Sequence, residues 1–277
     1  MIILNKAIKN ILIFPNPKND VPSESFEKVE KALSENGISS RIFEKYEDIS
    51  DLSGKFDAII ALGGDGTMLA ASKIAFAADL PILGINHGTL GYMSELEMEE
   101  LDLLSKLKGQ YVLEPRMLLE ISVIRNGQTE ITRKALNEAV ITRDAGSIIS
   151  VLSLECDGSR VCTYKGDGLI VATPTGSSGY AMSAGGPIID TKIDAFCVCP
   201  VCPHIMATRP LIFSPNSVLE VTDMSQEGST VMLSADGRII SEIKIGDKVS
   251  IKKSDSVLSM IRLKKDAFYD VLYKKMS

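Results

Sequence analysis

The stretch Leu62-Gly63-Gly64-Asp65-Gly66-Thr67 combines three glycines with one carboxylate. Glycine has no Cβ, so backbone N–H groups there can come close to a ligand. The apolar run Phe56–Leu62 before it reads as a buried strand, and Met68–Ala75 after it reads as a helix. A strand-to-helix turn offers unpaired N–H groups and the positive end of the macrodipole, which suits phosphate. Asp65 would repel phosphate, so its role must lie elsewhere, as a base for a hydroxyl or as a link to a metal ion. A plain tight turn with a helix-capping Asp has the same sequence, and the motif alone does not separate these readings.

A second small-residue stretch runs from Lys165 to Pro187. The hydroxyls of Thr175, Ser177, Ser178, Tyr180 and Ser183 can donate to or accept from a polar ligand, with Gly176 and Gly179 between them. Asp167 and the pair Asn137-Glu138 add acceptors that suit ribose hydroxyls or an amide. Thr175 or Ser177 is expected to cap a short helix through Ser183. The alternative is a loop with ordinary turn chemistry. Two glycine-rich stretches in two domains favour a shared cleft between those domains.

The elements that must position these residues fall into two patterns. Strands at 9–14, 38–43, 56–62 and 81–86 alternate with helices at 23–36 and 68–75, which predicts a parallel sheet with helices packed on it, a Rossmann-like α/β domain. Ligands in such sheets bind beyond the carboxyl ends of the strands. Both Gly63–Gly66 and the stretch Asn86-His87-Gly88-Thr89-Leu90-Gly91 lie at such ends, so they are expected to be neighbours. A further helix is expected over 97–107. Beyond it come strands at 117–125, 128–142, 148–156, 160–165, 169–172, 195–199, 218–221, 230–234 and 248–252. Asn126-Gly127 and Asp157-Gly158 are hairpin signals. That half reads as an all-β, layered domain. A last helix, 266–275, carries Ala267, Phe268, Val271 and Leu272 on one stripe and is expected to return to the first domain. The expected division is 1–115 with 265–277, and 116–264.

The chain has 277 residues and a formal net charge of −6, which argues against a broad nucleic-acid surface. No stretch approaches the roughly 20 apolar residues of a membrane helix, and the opening Met1–Lys6 run is too short for a signal peptide. The expectation is a cytoplasmic protein with no membrane partner. Three of the five cysteines crowd into Cys197-Val198-Cys199-Pro200-Val201-Cys202. Zinc is one reading, but the Cys-x-Cys spacing and the lack of a second ligand pair favour small buried thiols. No residue is assigned as a metal ligand.

Taken together, Gly63-Gly64-Asp65-Gly66, Asn137-Glu138, the long Gly166–Pro187 stretch, Pro203-His204 with Arg209-Pro210, and Asp236-Gly237 resemble the NAD kinase family across almost the whole chain. The glycine turn by itself is shared with diacylglycerol and sphingosine kinases and phosphofructokinases; Asn137-Glu138 with Thr173–Pro187 is the specific part. The resemblance implies phosphoryl transfer from ATP or polyphosphate to the adenosine ribose 2′-hydroxyl of NAD, giving NADP. By resemblance Asp65 orients and deprotonates that hydroxyl, and Gly63, Gly64 and Gly66 admit the phosphates. Asn137 and Glu138 contact the adenine side, while Asp167, Ser178, Tyr180 and Ser183 line the nicotinamide half. Asn86, Thr175, Gly179 and Asp236 complete the expected binding set. The resemblance also implies Mg²⁺ or another divalent cation with the donor, and a homodimer or homotetramer. The family stretch often reads Gly-Ser-Thr-Ala-Tyr where this chain has Gly176-Ser177-Ser178-Gly179-Tyr180; Ser keeps the hydroxyl and Gly the small size. A lipid kinase sharing the turn, and a non-catalytic dinucleotide sensor, are the competing readings. The Asn137-Glu138 pair argues against the first, and Asp65 favours an enzyme over the second.

Overall fold

The computed structural model describes residues 2–4, 6–16, 21–44, 52, 54–89, 91–205, 208–265 and 267–276. Leu90 and Asp266, which fall within expected features, lie outside them. In chain order the first elements are β1 (Ile2–Leu4), β2 (Asn10–Pro15), α1 (Ser23–Glu35), β3 (Ser39–Ile42), β4 (Ala58–Leu62), α2 (Asp65–Ala77), β5 (Ile82–Asn86) and β6 (Leu96–Glu97). A 3-10 helix, Met98–Lys108, leads into β7 (Tyr111–Arg125). The β-rich part holds β8 (Gln128–Ala135), β9 (Glu138–Arg143), β10 (Ser150–Cys156), β11 (Ser159–Gly166), β12 (Gly168–Ala172) and the short α3 (Tyr180–Ser183). It continues through β13 (Phe196–Val201), β14 (Leu211–Phe213), β15 (Leu219–Asp223), β16 (Val231–Ala235) and β17 (Arg238–Ile243). The last elements are β18 (Lys248–Arg262) and α4 (Ala267–Met276). Contacts divide the chain into two compact units, Met1–Arg116 with Val257–Ser277, and Met117–Ser256. The chain passes between them inside β7 and β18.

In the first unit β3, β2, β4 and β5 pair in that order, all parallel, and Met260 of β18 pairs parallel with Ile82. The apolar runs that form these strands are buried on both faces, as a parallel sheet between helices requires. Ile11, Ile13, Ile60, Leu62, Leu83 and Ile85 share one cluster with Val29 and Leu33 of α1 and with Leu104 and Leu107 of the 3-10 helix. Met68 of α2 lies instead over Gly84, whose place in the alternation is opposite to Leu83 and Ile85. The parallel sheet thus ends β4 and β5 side by side, with Gly63 N–H donating to Ile85 O at 2.9 Å.

The second unit is a two-layer β structure. One sheet runs β14-β13-β12-β9-β16-β17, antiparallel throughout. The other holds β11, β10, β15 and the first part of β18, with β7 and β8. Alternate residues from both layers fill one core: Leu119 and Ile121 of β7, Leu152 and Leu154 of β10, Leu169 and Val171 of β12, Phe196 and Val198 of β13. The intervening residues of the first sheet, Val140, Ile170, Ala172, Cys197 and Cys199, face the opposite way and pack with Ala181 and Ile189. The glycine-rich stretch is therefore laid along the outer face of this sheet.

Several sequence expectations change. The helix at 97–107 is a 3-10 helix with non-helical backbone at Glu100, opened by a reciprocal Glu97–Glu100 capping box and closed by Gly109 in the left-handed region. The strand over 128–142 breaks between β8 and β9, because the backbone N–H groups of Leu136 and Asn137 turn to the Asp236 carboxylate. The strand at 248–252 continues to Arg262, and β14 and β17 were too polar or too short to register as strands. Neither Thr175 nor Ser177 caps the short helices as expected, since no side-chain cap bond is made there. Ser177 Oγ instead donates to Pro174 O at 2.6 Å and accepts from Ile189 N–H at 2.9 Å. Among the described residues no helix is long and apolar enough to cross a membrane.

Cys197 and Cys199 are fully buried, their sulfurs 3.4 Å apart, with Cys199 packed under Gly186, whereas Cys202 is exposed. Thiol labelling of the native protein is expected to modify Cys202 first and to reach Cys197 and Cys199 only on unfolding. Rapid native labelling of Cys197 or Cys199, read by peptide mass spectrometry, would contradict this packing.

Candidate active site

In the first unit the glycine turn sits at the carboxyl end of β4. Gly63 has φ of +149°, and a Cβ there would lie 2.3 Å from Thr67 Oγ1, so the turn closes onto the buried Thr67 only with glycine. Among the described residues nothing lies within 4 Å of a Cβ placed on Gly64 or Gly66, so the turn presents open space at those two positions. Gly64 is the N-cap of α2 and makes no side-chain cap bond, and Asp65 is the first helical residue. The carboxylate of Asp65 does not cap its own helix. Its Oδ2 accepts the Tyr92 N–H at 2.9 Å and its Oδ1 the Met93 N–H at 3.0 Å. A part-exposed carboxylate is thus aimed by two amides beside the positive end of a 13-residue helix.

Asn86 closes β5 on the neighbouring strand. It is buried, its Nδ2 donates to Gly88 O at 3.0 Å, and its Oδ1 has no partner among the described residues. It lines an open pocket of about 330 Å³ with Ser25, Lys28, His87, Gly88 and Glu97. An unmet acceptor in a polar pocket at the end of a parallel strand suits a ligand that brings a donor.

The second unit gathers a separate group at the end of β12. Asp236 and Gly237 form the β16–β17 turn, with φ of +48° and +70°. That turn puts the buried Asp236 carboxylate under three main-chain donors: Leu136 N–H at 3.0 Å, Asn137 N–H at 2.8 Å and Glu138 N–H at 3.4 Å. Thr173 clamps the same corner, donating its hydroxyl to Leu136 O at 2.6 Å and accepting Gly176 N–H at 3.1 Å. Gly176 must be glycine, because a Cβ there would lie 2.1 Å from Asn137 O. Fixed in this way, Asn137 and Glu138 keep two buried acceptors without a partner among the described residues, Asn137 Oδ1 and Glu138 Oε2. Gly179 adjoins both, since a Cβ on it would lie 3.6 Å from Glu138 Oε2 and 3.8 Å from Asn137 Nδ2. Burial, with the Asp236 charge adding to it, pushes the Glu138 carboxyl up to about 7.

The remaining expected residues divide. Thr175 is buried at this corner, and Ser178 Oγ donates to Thr175 O at 3.2 Å. Tyr180 and Ser183 are exposed on α3. Asp167 is not brought to the group. It precedes β12, whose register pairs Gly168 with Thr142 and Ala172 with Glu138, so it stands about 16 Å of strand away from that corner. There it pairs with Arg143 at 2.6 Å, and this guanidinium holds its carboxyl below the ordinary value. The sequence reading missed Thr173, and it missed Gly91, Tyr92 and Met93. The first was legible as a hydroxyl in the specific stretch and Gly91 as a glycine beyond β5; Tyr92 and Met93 act through backbone amides, which leave no side-chain signal. Among the described residues no group of three or more His, Cys, Asp or Glu is arranged to hold a metal ion.

Replacing Glu138 by Gln removes a buried charge that no cation offsets among the described residues. The folded carboxyl is raised above the unfolded 4.5, so the wild type is favoured below pH 4.5 and loses that stability as pH rises to about 7. Glu138→Gln is expected to gain stability relative to wild type progressively through this window, reaching on the order of 3 kcal/mol by pH 8. Urea unfolding at pH 5 and pH 8 tests it; a gain that does not grow with pH would refute the buried charge.

The model for the ATP-NAD kinase N-terminal domain matches residues 4–107, and that for the ATP-NAD kinase C-terminal domain matches residues 136–263. An NAD kinase from Thermoanaerobacter sp. (strain X514) is 36% identical over 98% of this chain and 99% of its own length. One from Syntrophotalea carbinolica is 39% identical over 84% of this chain and 82% of its own. Among solved structures, a yeast NADH kinase complexed with NADH shares the fold, with a TM-score of 0.86 at 21% identity, covering 98% of this chain and 88% of that one. An NAD kinase from Archaeoglobus fulgidus in complex with ATP gives a TM-score of 0.74 at 25% identity, covering 96% and 98%. These likenesses give no support to a lipid kinase or a non-catalytic sensor. With both domain models matched and relatives above 30% identity along nearly its whole length, this chain belongs to the NAD kinase family and is a phosphotransferase.

Proposed function

We propose that this NAD kinase phosphorylates the adenosine ribose 2′-hydroxyl of NAD with Asp65 as the group that orients the hydroxyl and takes its proton. The observation that carries the assignment is the setting of Asp65. Its carboxylate is part-exposed at the start of α2, and two backbone amides fix its direction without a side-chain cap. Phosphoryl transfer needs positioning, an aligned acceptor and neutralised phosphate charge more than covalent work by the protein. A carboxylate base in such a place contributes about 10²–10⁴-fold. Gly63, Gly64 and Gly66 with the α2 N-terminus receive phosphate oxygens, and the open space at Gly64 and Gly66 supports that use.

In the same reading the second unit is the dinucleotide-binding one. Asn137 Oδ1 and Glu138 Oε2 are buried acceptors with no donor among the described residues, so they fit the amino or hydroxyl groups of a nucleoside. Thr175, Ser178, Gly179, Tyr180 and Ser183 extend that surface, and Asp236 supports it from beneath. Asn86 takes a donor group from the pocket beside β5. Asp167, standing at the other end of β12, belongs to a different contact from the Asn137–Glu138 corner. ATP is the donor, with polyphosphate the alternative. Mg²⁺ or another divalent cation accompanies the donor's phosphates and supplies positive charge there. The assembly is a homodimer or homotetramer in the cytoplasm.

Incubation with NAD, Mg²⁺ and either ATP or polyphosphate is expected to yield NADP; no NADP with either donor would refute the activity. Asp65→Asn is expected to retain NAD binding and to lose at least about 10²-fold in turnover. Its amide NH₂ would also face a Tyr92 or Met93 N–H. Unchanged turnover in this variant would remove Asp65 from the base role.

A further inference from the structure

Asp65 is aimed by a loop that is itself held from elsewhere. The loop side of the contact is tight, since a Cβ on Gly91 would lie 2.1 Å from Asp65 Oδ1 and 2.7 Å from its Cγ. Tyr92 and Met93 then donate their amides to the two carboxylate oxygens. Two residues further on comes Glu95, buried to 2 % exposure. Its N–H donates to Gly84 O at 2.9 Å, which ties the backbone to β5. Its side chain reaches the other way. Oε1 accepts both Leu263 N–H and Lys264 N–H at 2.7 Å, and Oε2 accepts Arg262 Nη1–H at 2.9 Å. Arg262, itself buried, also donates from Nε to Glu114 at 2.8 Å, and Lys264 Nζ pairs with Glu100 at 2.8 Å. The last helix adds Lys274 on Glu97 at 2.9 Å and Lys275 over the Tyr92 ring at 4.7 Å.

One short segment therefore joins two anchors, the Asp65 carboxylate at one end and the chain's return through Arg262–Lys264 at the other. We infer that Glu95 is a positioning residue for Asp65, fixing through Met93 and Tyr92 the direction in which that carboxylate faces its hydroxyl. The inference rests on Asp65 being the base. A carboxylate displaced by about 1 Å, even by a change remote from the chemistry, can cost on the order of 10²-fold in rate. Glu95 is suited to this because three donors converge on its two oxygens, so its side chain cannot turn without leaving a buried N–H unpaired.

Glu95→Gln leaves one acceptor oxygen for those three donors, while Arg262 keeps Glu114. The variant is expected to lower kcat by about 10²-fold with KM for NAD little changed. The same substitution placed in Asp65→Asn is expected to cost less than roughly twofold more, because the group it positions is already gone. Hydrogen exchange at the Tyr92 and Met93 amides is expected to quicken, while that of the β4 and β5 core amides holds. Equal losses of kcat in the two backgrounds, or unchanged exchange at both loop amides, would overturn the role. Should Glu95→Gln not fold, Glu95→Asp keeps the charge beside Arg262 and is read the same way. A wild-type protein that makes no NADP would remove the kinase reading alone, since the exchange rates at Tyr92 and Met93 still test the tether.

Discussion

Carboxylates that collect main-chain N–H groups hold this molecule's irregular segments in place. Asp65 takes the amides of Tyr92 and Met93, Asp236 those of Leu136, Asn137 and Glu138, and Glu95 those of Leu263 and Lys264. Asp57 does the same for Lys9 and Asn10 at the entry to β2. Loops and strand breaks leave backbone donors without ladder partners, and a buried orphan of this kind costs about as much as a lost hydrogen bond. A charged acceptor satisfies two or three such donors at once and makes stronger bonds than a neutral one. Each of these carboxylates lies far in sequence from the amides it serves, so each also fixes a long-range contact.

The arrangement has a chemical consequence in the second unit. Asp236 commits its oxygens to backbone, and Thr173 commits its hydroxyl to Leu136 O and Gly176 N–H. What is left over among the described residues at this corner is Asn137 Oδ1 and Glu138 Oε2. A fold that satisfied its own polar groups throughout would have no use for these two. Two buried acceptors side by side, one on a carboxyl raised to about 7 by burial and by Asp236, suit a ligand that brings hydrogen-bond donors.

Hydroxyl-rich stretches divide in the same way. Five hydroxyls between Thr175 and Ser183 look equally available in the sequence. In the structure Ser177 is engaged on both sides, Ser178 is turned to Thr175 O, and Tyr180 and Ser183 stay exposed. The cysteines follow a related logic. Their two-residue spacing in β13 puts Cys197 and Cys199 on the same face, where they fill the space beneath the glycine-rich segment as small apolar side chains.

Sequence alone determined the parts that rest on local rules. Apolar runs punctuated by glycine set the parallel strands and the β4–α2 turn, and the Asn126-Gly127 and Asp157-Gly158 pairs set two hairpins, because backbone stereochemistry is local. The glycine turn was legible for the same reason, while the Asn137-Glu138 pair stood out as acceptors and through its resemblance to the NAD kinase pattern. Tertiary structure alone decided the break at Leu136–Asn137, the full length of β18, the distance of Asp167 from Glu138, and the hold of Tyr92 and Met93 on Asp65. The break and the hold on Asp65 depend on which main-chain N–H groups a distant carboxylate satisfies, and the other two on strand pairing and register; a backbone amide looks the same at every residue of a sequence.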